Sequence, residues 1–135
     1  PDLLSLLWMQ ERQQLLHPAN QLLGQTHDAL ARALCAAQHP PAAAITHLRA
    51  SLAILERHYP PASTAVAFQQ LQLADLLALA AAESREGRET ESGVRAVAEM
   101  EAEACRLHRE AGEVLALHFG RDVAASISAA HLWTD

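Results

Sequence analysis

Residues 48–63 read LRASLAILERHYPPAS, and residues 108–123 read HREAGEVLALHFGRDV. The two stretches align without a gap at an offset of 60. Leu55 pairs with Leu115, His58 with His118, and the aromatic Tyr59 with the aromatic Phe119. Each reads as the end of an amphipathic helix, a short stop (Pro60-Pro61 or Gly120), and a polar entry to another helix. An internal echo of this kind is the mark of a helical repeat.

Working outward, apolar residues recur at helical spacing. A first helix is expected over Asp2–Leu16, with Leu3, Leu4, Leu7, Trp8 and Leu15 on one stripe and Glu11 interrupting it. His17-Pro18 ends it, because a residue before proline is pushed out of the α region. Asn20 can cap a second helix over about Gln21–Gln38, whose apolar face is Leu22, Leu23, Thr26, Leu30, Ala31, Leu34 and Cys35. Gly24 within it marks either a break or a close helix crossing. Pro41 suits the first position of a third helix, where its missing N–H is not needed. That helix runs to about His58 with Ala44, Leu48, Ser51, Leu52 and Leu55 inward.

Ser63 or Thr64 caps a fourth helix to about Glu83. Its Phe68, Leu71, Leu73, Ala74, Leu76, Leu77 and Ala80 are apolar on more than one side, so it is expected to be buried on both flanks. ESREGRETESG, residues 83–93, reads as an exposed polar insertion. A fifth helix is expected over Val94–His118, with Val97, Met100, Ala104, Cys105, Leu107, Ala111, Val114 and Leu115 inward and Gly120 just past its end. Asp122 opens a sixth, ending near Trp133, with Val123, Ile127, Ala130 and Trp133 on its inner side. The expected fold is all-α. About six helices form antiparallel hairpins stacked as a short tetratricopeptide-like array, one domain over residues 1–135. Small residues at Ala31, Ala44, Ser51, Ala74, Ala104 and Ala111 let helix axes approach closely.

The charge is −6 and every one of the ten basic residues is Arg. No face collects enough Arg to follow a phosphate backbone, so nucleic acid is not an expected partner. Nine of the sixteen acids lie between Glu83 and Glu113, which reads as a solvated helix face. No apolar run is read as long and uncharged enough to span a bilayer, so no membrane is expected. Cys35 and Cys105 lie in Ala/Leu patterns and read as buried, reduced thiols, which places the chain in the cytoplasm and nucleus. Beginning at Pro1 rather than Met, it is expected to be part of a longer protein.

Eight histidines raise the question of a metal, but a structural zinc site wants four clustered ligands. There is no CxxC or HxxxH pair. Cys105 and His108 share one helical face, and His17 and His27 flank a turn. The helix-end histidines His17, His58 and His118 are read instead as donors to unpaired carbonyls near helix C-termini. His47 and Ser51 are four apart, but a small residue at 51 is expected for packing. No nucleophile, base and acid assemble, and no phosphate loop occurs. No catalytic, cofactor-binding or metal-ligating residue is assigned. Tetratricopeptide grooves that hold chaperone tails clamp a carboxylate with Lys, Arg and Asn. With no Lys and Asn20 the sole Asn, only Arg32 and Arg49 stand as possible interaction residues.

Three stretches, LLHPANQLLGQTHDALARAL, AAAITHLRASLAILERHYPPAS and FQQLQLADLL, resemble the C-terminal helical domain of the SET and MYND domain lysine methyltransferases. The resemblance covers roughly Gln13–Leu79 and resumes over Ala104–Asp122, where LALHFGRDV resembles that family's closing repeat. It implies a non-catalytic domain that controls substrate access. The implied partners are a SET domain in cis and substrate or chaperone proteins in trans. It also implies S-adenosylmethionine and zinc for the parent protein, held by SET, MYND and post-SET motifs that do not occur in these residues. The alternative is a stand-alone tetratricopeptide scaffold or adaptor of the kinesin-light-chain type.

Overall fold

A computed structural model describes Met9, Arg12, His17, residues 20–86 and residues 90–132. Those residues are helical without strands. Five helices follow in order: α1 (Gln21–Ala36), α2 (Pro41–His58), α3 (Thr64–Arg85), α4 (Glu91–Phe119) and α5 (Arg121–Leu132). The expected helix over Asp2–Leu16 lies outside the described residues apart from Met9 and Arg12, both helical. The chain groups into two compact units, residues 1–61 and residues 62–135.

In the first unit, Asn20 caps α1 as expected, its Oδ1 accepting from the Leu22 N–H at 2.8 Å. The helix stops two residues earlier than its apolar pattern suggests. Gln38 turns to φ 58, its N–H bonds the Cys35 carbonyl, and the His39 N–H bonds the Leu34 carbonyl. That pair of bonds is a Schellman ending, with Gln where glycine is usual. Pro40 adopts φ −53, ψ 143 and delivers Pro41 as the first residue of α2. Two contacts fix the sense of packing. Gly24 lies against Ile54, and three residues on, His27 meets His47. Advancing along α1 retreats along α2, so the pair is antiparallel. Gly24 marks a close crossing rather than a break: a Cβ added there would stand 3.0 Å from Ile54 Cγ2 and 3.3 Å from its Cβ.

In the second unit, Ser63 supplies the cap of α3, its Oγ accepting from Ala65 N–H at 3.2 Å. Contacts between α3 and α4 again run in opposite senses: Arg85 with Glu101, Asp75 with His108, Gln70 with Glu110. At the core, Ala67 and Leu71 of α3 meet Ala111 and Leu115 of α4 and Ala124 of α5, with Val114, Ala116 and Ile127 around them. Leu71 and Leu115 are fully buried, and each such side chain contributes about 2 kcal/mol of transfer free energy. On α3 a second buried stripe, Val66, Gln69, Leu73, Leu77 and Ala80, lies more than a third of a turn from the first. Burial on more than one side agrees with the apolar pattern, although Phe68 is exposed.

Four corrections follow. Helix reaches further into the polar stretch 83–93 than its composition suggested, over residues 83–85 and 91–93, while its described residues other than Ser84 and Gly93 are exposed as expected. α3 continues through Arg85, and α4 begins at Glu91 behind Thr90, whose Oγ1 accepts from Gly93 N–H at 3.2 Å. Its composition suggested a loop, but the threonine cap and the Arg85–Glu101 ion pair stabilise helix at both edges. Second, Cys35 and Cys105 are free and exposed rather than buried; each sits beside the inward stripe, next to Leu34 or Ala104. Third, α5 starts at Arg121 and turns Ala124, Ile127 and Ser128 inward, leaving Val123 and Ala130 outside. Fourth, α3 is, by length and composition alone, long and apolar enough to cross a membrane. Asp75 is the one charge between Thr64 and Ala82, and a helix with two buried stripes has the same composition.

Candidate interaction surface

The second unit carries an apolar corner. α4 ends at Phe119, and Gly120 takes φ 83, ψ 161, a region open essentially only to glycine, so α5 begins at the next residue. Seven residues of chain then hold three exposed apolar side chains: Leu117 (79% exposed), Phe119 (47%) and Val123 (48%). The echo of Tyr59 and Phe119 is therefore not a pair of packed aromatics, because Tyr59 is also exposed. The corner is held from below. Leu115 is buried, and His118 donates its Nε2–H to the Ala62 carbonyl at 2.6 Å, with its ring 6.3 Å from that of Phe119. His118 thus meets a carbonyl ahead of α3, not one in its own last turn. This position cannot be read from helix-end statistics, because it depends on where the neighbouring helix begins.

The two arginines expected to take part in binding lie in the first unit. Arg32 on α1 is exposed and ion-paired with Asp28 at 3.0 Å, one turn back. Arg49 is exposed on α2. The Arg32–Asp28 pair is an ordinary surface contact, worth about 0.3–0.5 kcal/mol.

Polar chemistry inside the helix pairs is concentrated in histidines. His27 and His47 approach Nδ1 to Nδ1 at 2.9 Å, with ring centroids 5.2 Å apart. Burial holds both below the ordinary histidine range, and for His27 the charge of His47 adds to it. Beside them, Arg12 donates to the Thr26 hydroxyl, which itself donates to the Leu22 carbonyl at 2.8 Å. In the second unit His108 Nε2 stands 3.4 Å from Asp75 Oδ1, out of line for a hydrogen bond. Ser51 is buried, and His47 turns Nδ1 to His27. Cys105 is exposed while His108 points toward Asp75. Among the described residues no three His, Cys, Asp or Glu side chains are grouped to hold a metal ion. Although Cys35 is exposed, partial desolvation of its sulfur by the neighbouring helix atoms pushes its thiol up, so it is protonated at neutral pH.

Known protein families give no match to the chain, and neither do curated proteins or solved structures.

Proposed function

We propose that this chain is a non-catalytic protein-interaction domain that shapes substrate access in an S-adenosylmethionine-dependent protein-lysine methyltransferase. The observation that carries the interaction reading is that three large apolar side chains within seven residues, Leu117, Phe119 and Val123, stand in water where α4 passes into α5. Large apolar side chains left in water mark a protein contact where they join into one patch, which is what the double substitution below tests. The methyltransferase context comes from the resemblance over Gln13–Leu79. On this reading S-adenosylmethionine and zinc are held by other domains of the parent. The SET domain in cis and substrate or chaperone proteins in trans are the partners, in cytoplasm and nucleus.

The test uses the full-length protein with Leu117→Asp and Phe119→Ser together, with helicity checked by circular dichroism. Loss of specific co-purifying proteins, quantified against wild type, is the expected result. An unchanged partner set with intact helicity would sink the interaction reading. S-adenosylmethionine binding or methyl transfer by the 135-residue chain alone would sink the non-catalytic one.

A further inference from the structure

The His27–His47 contact has a proton requirement. Two imidazole nitrogens 2.9 Å apart bond only if one carries a hydrogen and the other offers a lone pair. In the neutral pair, one ring is the Nδ1–H tautomer and the other carries its hydrogen on Nε2. One added proton gives an imidazolium facing an imidazole, and the bond persists with charge assistance. A second added proton puts a hydrogen on both Nδ1 atoms. Neither then accepts, and two cations face each other with their centroids 5.2 Å apart. His27 is 8% exposed and His47 half-buried, so water screens that repulsion only in part.

We propose that the His27–His47 contact is an acid-sensitive latch between α1 and α2, closed by one shared hydrogen and opened when both rings are protonated.

The surroundings favour such a response. One turn either side of His27 on α1 lie Leu23, Gly24, Leu30 and Ala31; one turn either side of His47 on α2 lie Ala43, Ala44, Ala50 and Ser51. None carries charge. Among the described residues the charged groups nearby are Arg12, bonded to Thr26 from the preceding segment, Asp28, ion-paired with Arg32 on α1, and Arg49 on α2. Burial disfavours the charged form of each ring, and the second cation is opposed by the first. Both folded pKa values lie below the ordinary 6.5. The unfolded chain therefore binds protons first as pH falls, so the stabilisation is complete above 6.5 and is lost below it, toward the lower folded values. Gly24, one turn from His27, packs tightly against Ile54 of α2, so the rings sit beside a close crossing of the two helices.

Nitrogen-15 NMR of the wild-type chain tests this directly. At about pH 7.5 one ring should be the Nδ1–H tautomer, and both should titrate below the ordinary value. Amide exchange in α1 and α2, corrected for its intrinsic pH dependence, should accelerate once the second proton binds, approaching about tenfold per pH unit, while α3 and α4 serve as an internal control. Two rings titrating at the ordinary value, or exchange in α1 and α2 no more acid-sensitive than in α3 and α4, would overturn the latch. A second arm uses His47→Gln, which keeps a polar side chain but cannot become cationic. A flattened acid response supports the latch, and a persisting one overturns it. The wild-type titration stands on its own should that variant fold poorly.

Discussion

Gly24 and Gly120 show how one substitution can fail for two unrelated reasons. In an exposed helix interior, alanine in place of glycine stabilises by about 1 kcal/mol. At Gly24 the new methyl meets Ile54 at 3.0 Å, and the neighbour is a β-branched side chain whose Cβ cannot rotate away. Overpacking of this kind costs about 1–3 kcal/mol and outweighs the propensity gain. At Gly120 nothing stands within 4 Å of the added methyl, but φ is 83. There the cost of about 1–3 kcal/mol is in the backbone itself. Urea unfolding should find Gly24→Ala and Gly120→Ala both destabilised. Only the first should be rescued in a double-mutant cycle with Ile54→Ala; additivity at Gly24 would refute the contact.

The elements were legible where their boundaries are set by local chemistry. Asn20, Pro41 and Ser63 act on residues two or three along the chain, so their roles survive any tertiary arrangement. All six small residues expected at close approaches are buried. Periodicity failed where neighbours on the helix are alike. In α5 the alanines and serines do not distinguish an inner from an outer side, and the inward residues are Ala124, which is buried, with Ile127 and Ser128 half-buried. Cys35 and Cys105 sit a residue from the true stripe, about 100° around the helix, which was enough to expose them. At the end of α1, Gln38 holds a left-handed conformation that glycine adopts without strain. Gln38→Gly should therefore stabilise by about 0.5–1 kcal/mol in thermal or urea unfolding; a loss of stability would refute the Schellman ending.

At the scale of the whole chain, the candidate sites were the least legible part. A histidine pair between helices depends on the register of two segments 20 residues apart, and nothing in either segment alone marks it. Charge, by contrast, is plain from the sequence. The net charge is −6 with eight neutral histidines, so complete histidine protonation carries the chain through zero to +2. Solubility should pass through a minimum between about pH 5 and 6.5, where repulsion between molecules vanishes. Light scattering against pH would show it, and scattering that is flat across the histidine range would contradict it.

The hydrogen bond from His118 to the Ala62 carbonyl spans 56 residues. It lies at the open end of the α3–α4 pair, with the short connection from Arg85 to Glu91 at the other. A hairpin assembles from its turn outward, because short loops cost the least entropy to close. By that rule this bond is expected to form late, once the helices have already found each other, and faster amide exchange at the α4 C-terminus than at mid-helix would show it parting first. It sets how often the open end frays, and with it how long the apolar corner above it keeps its shape.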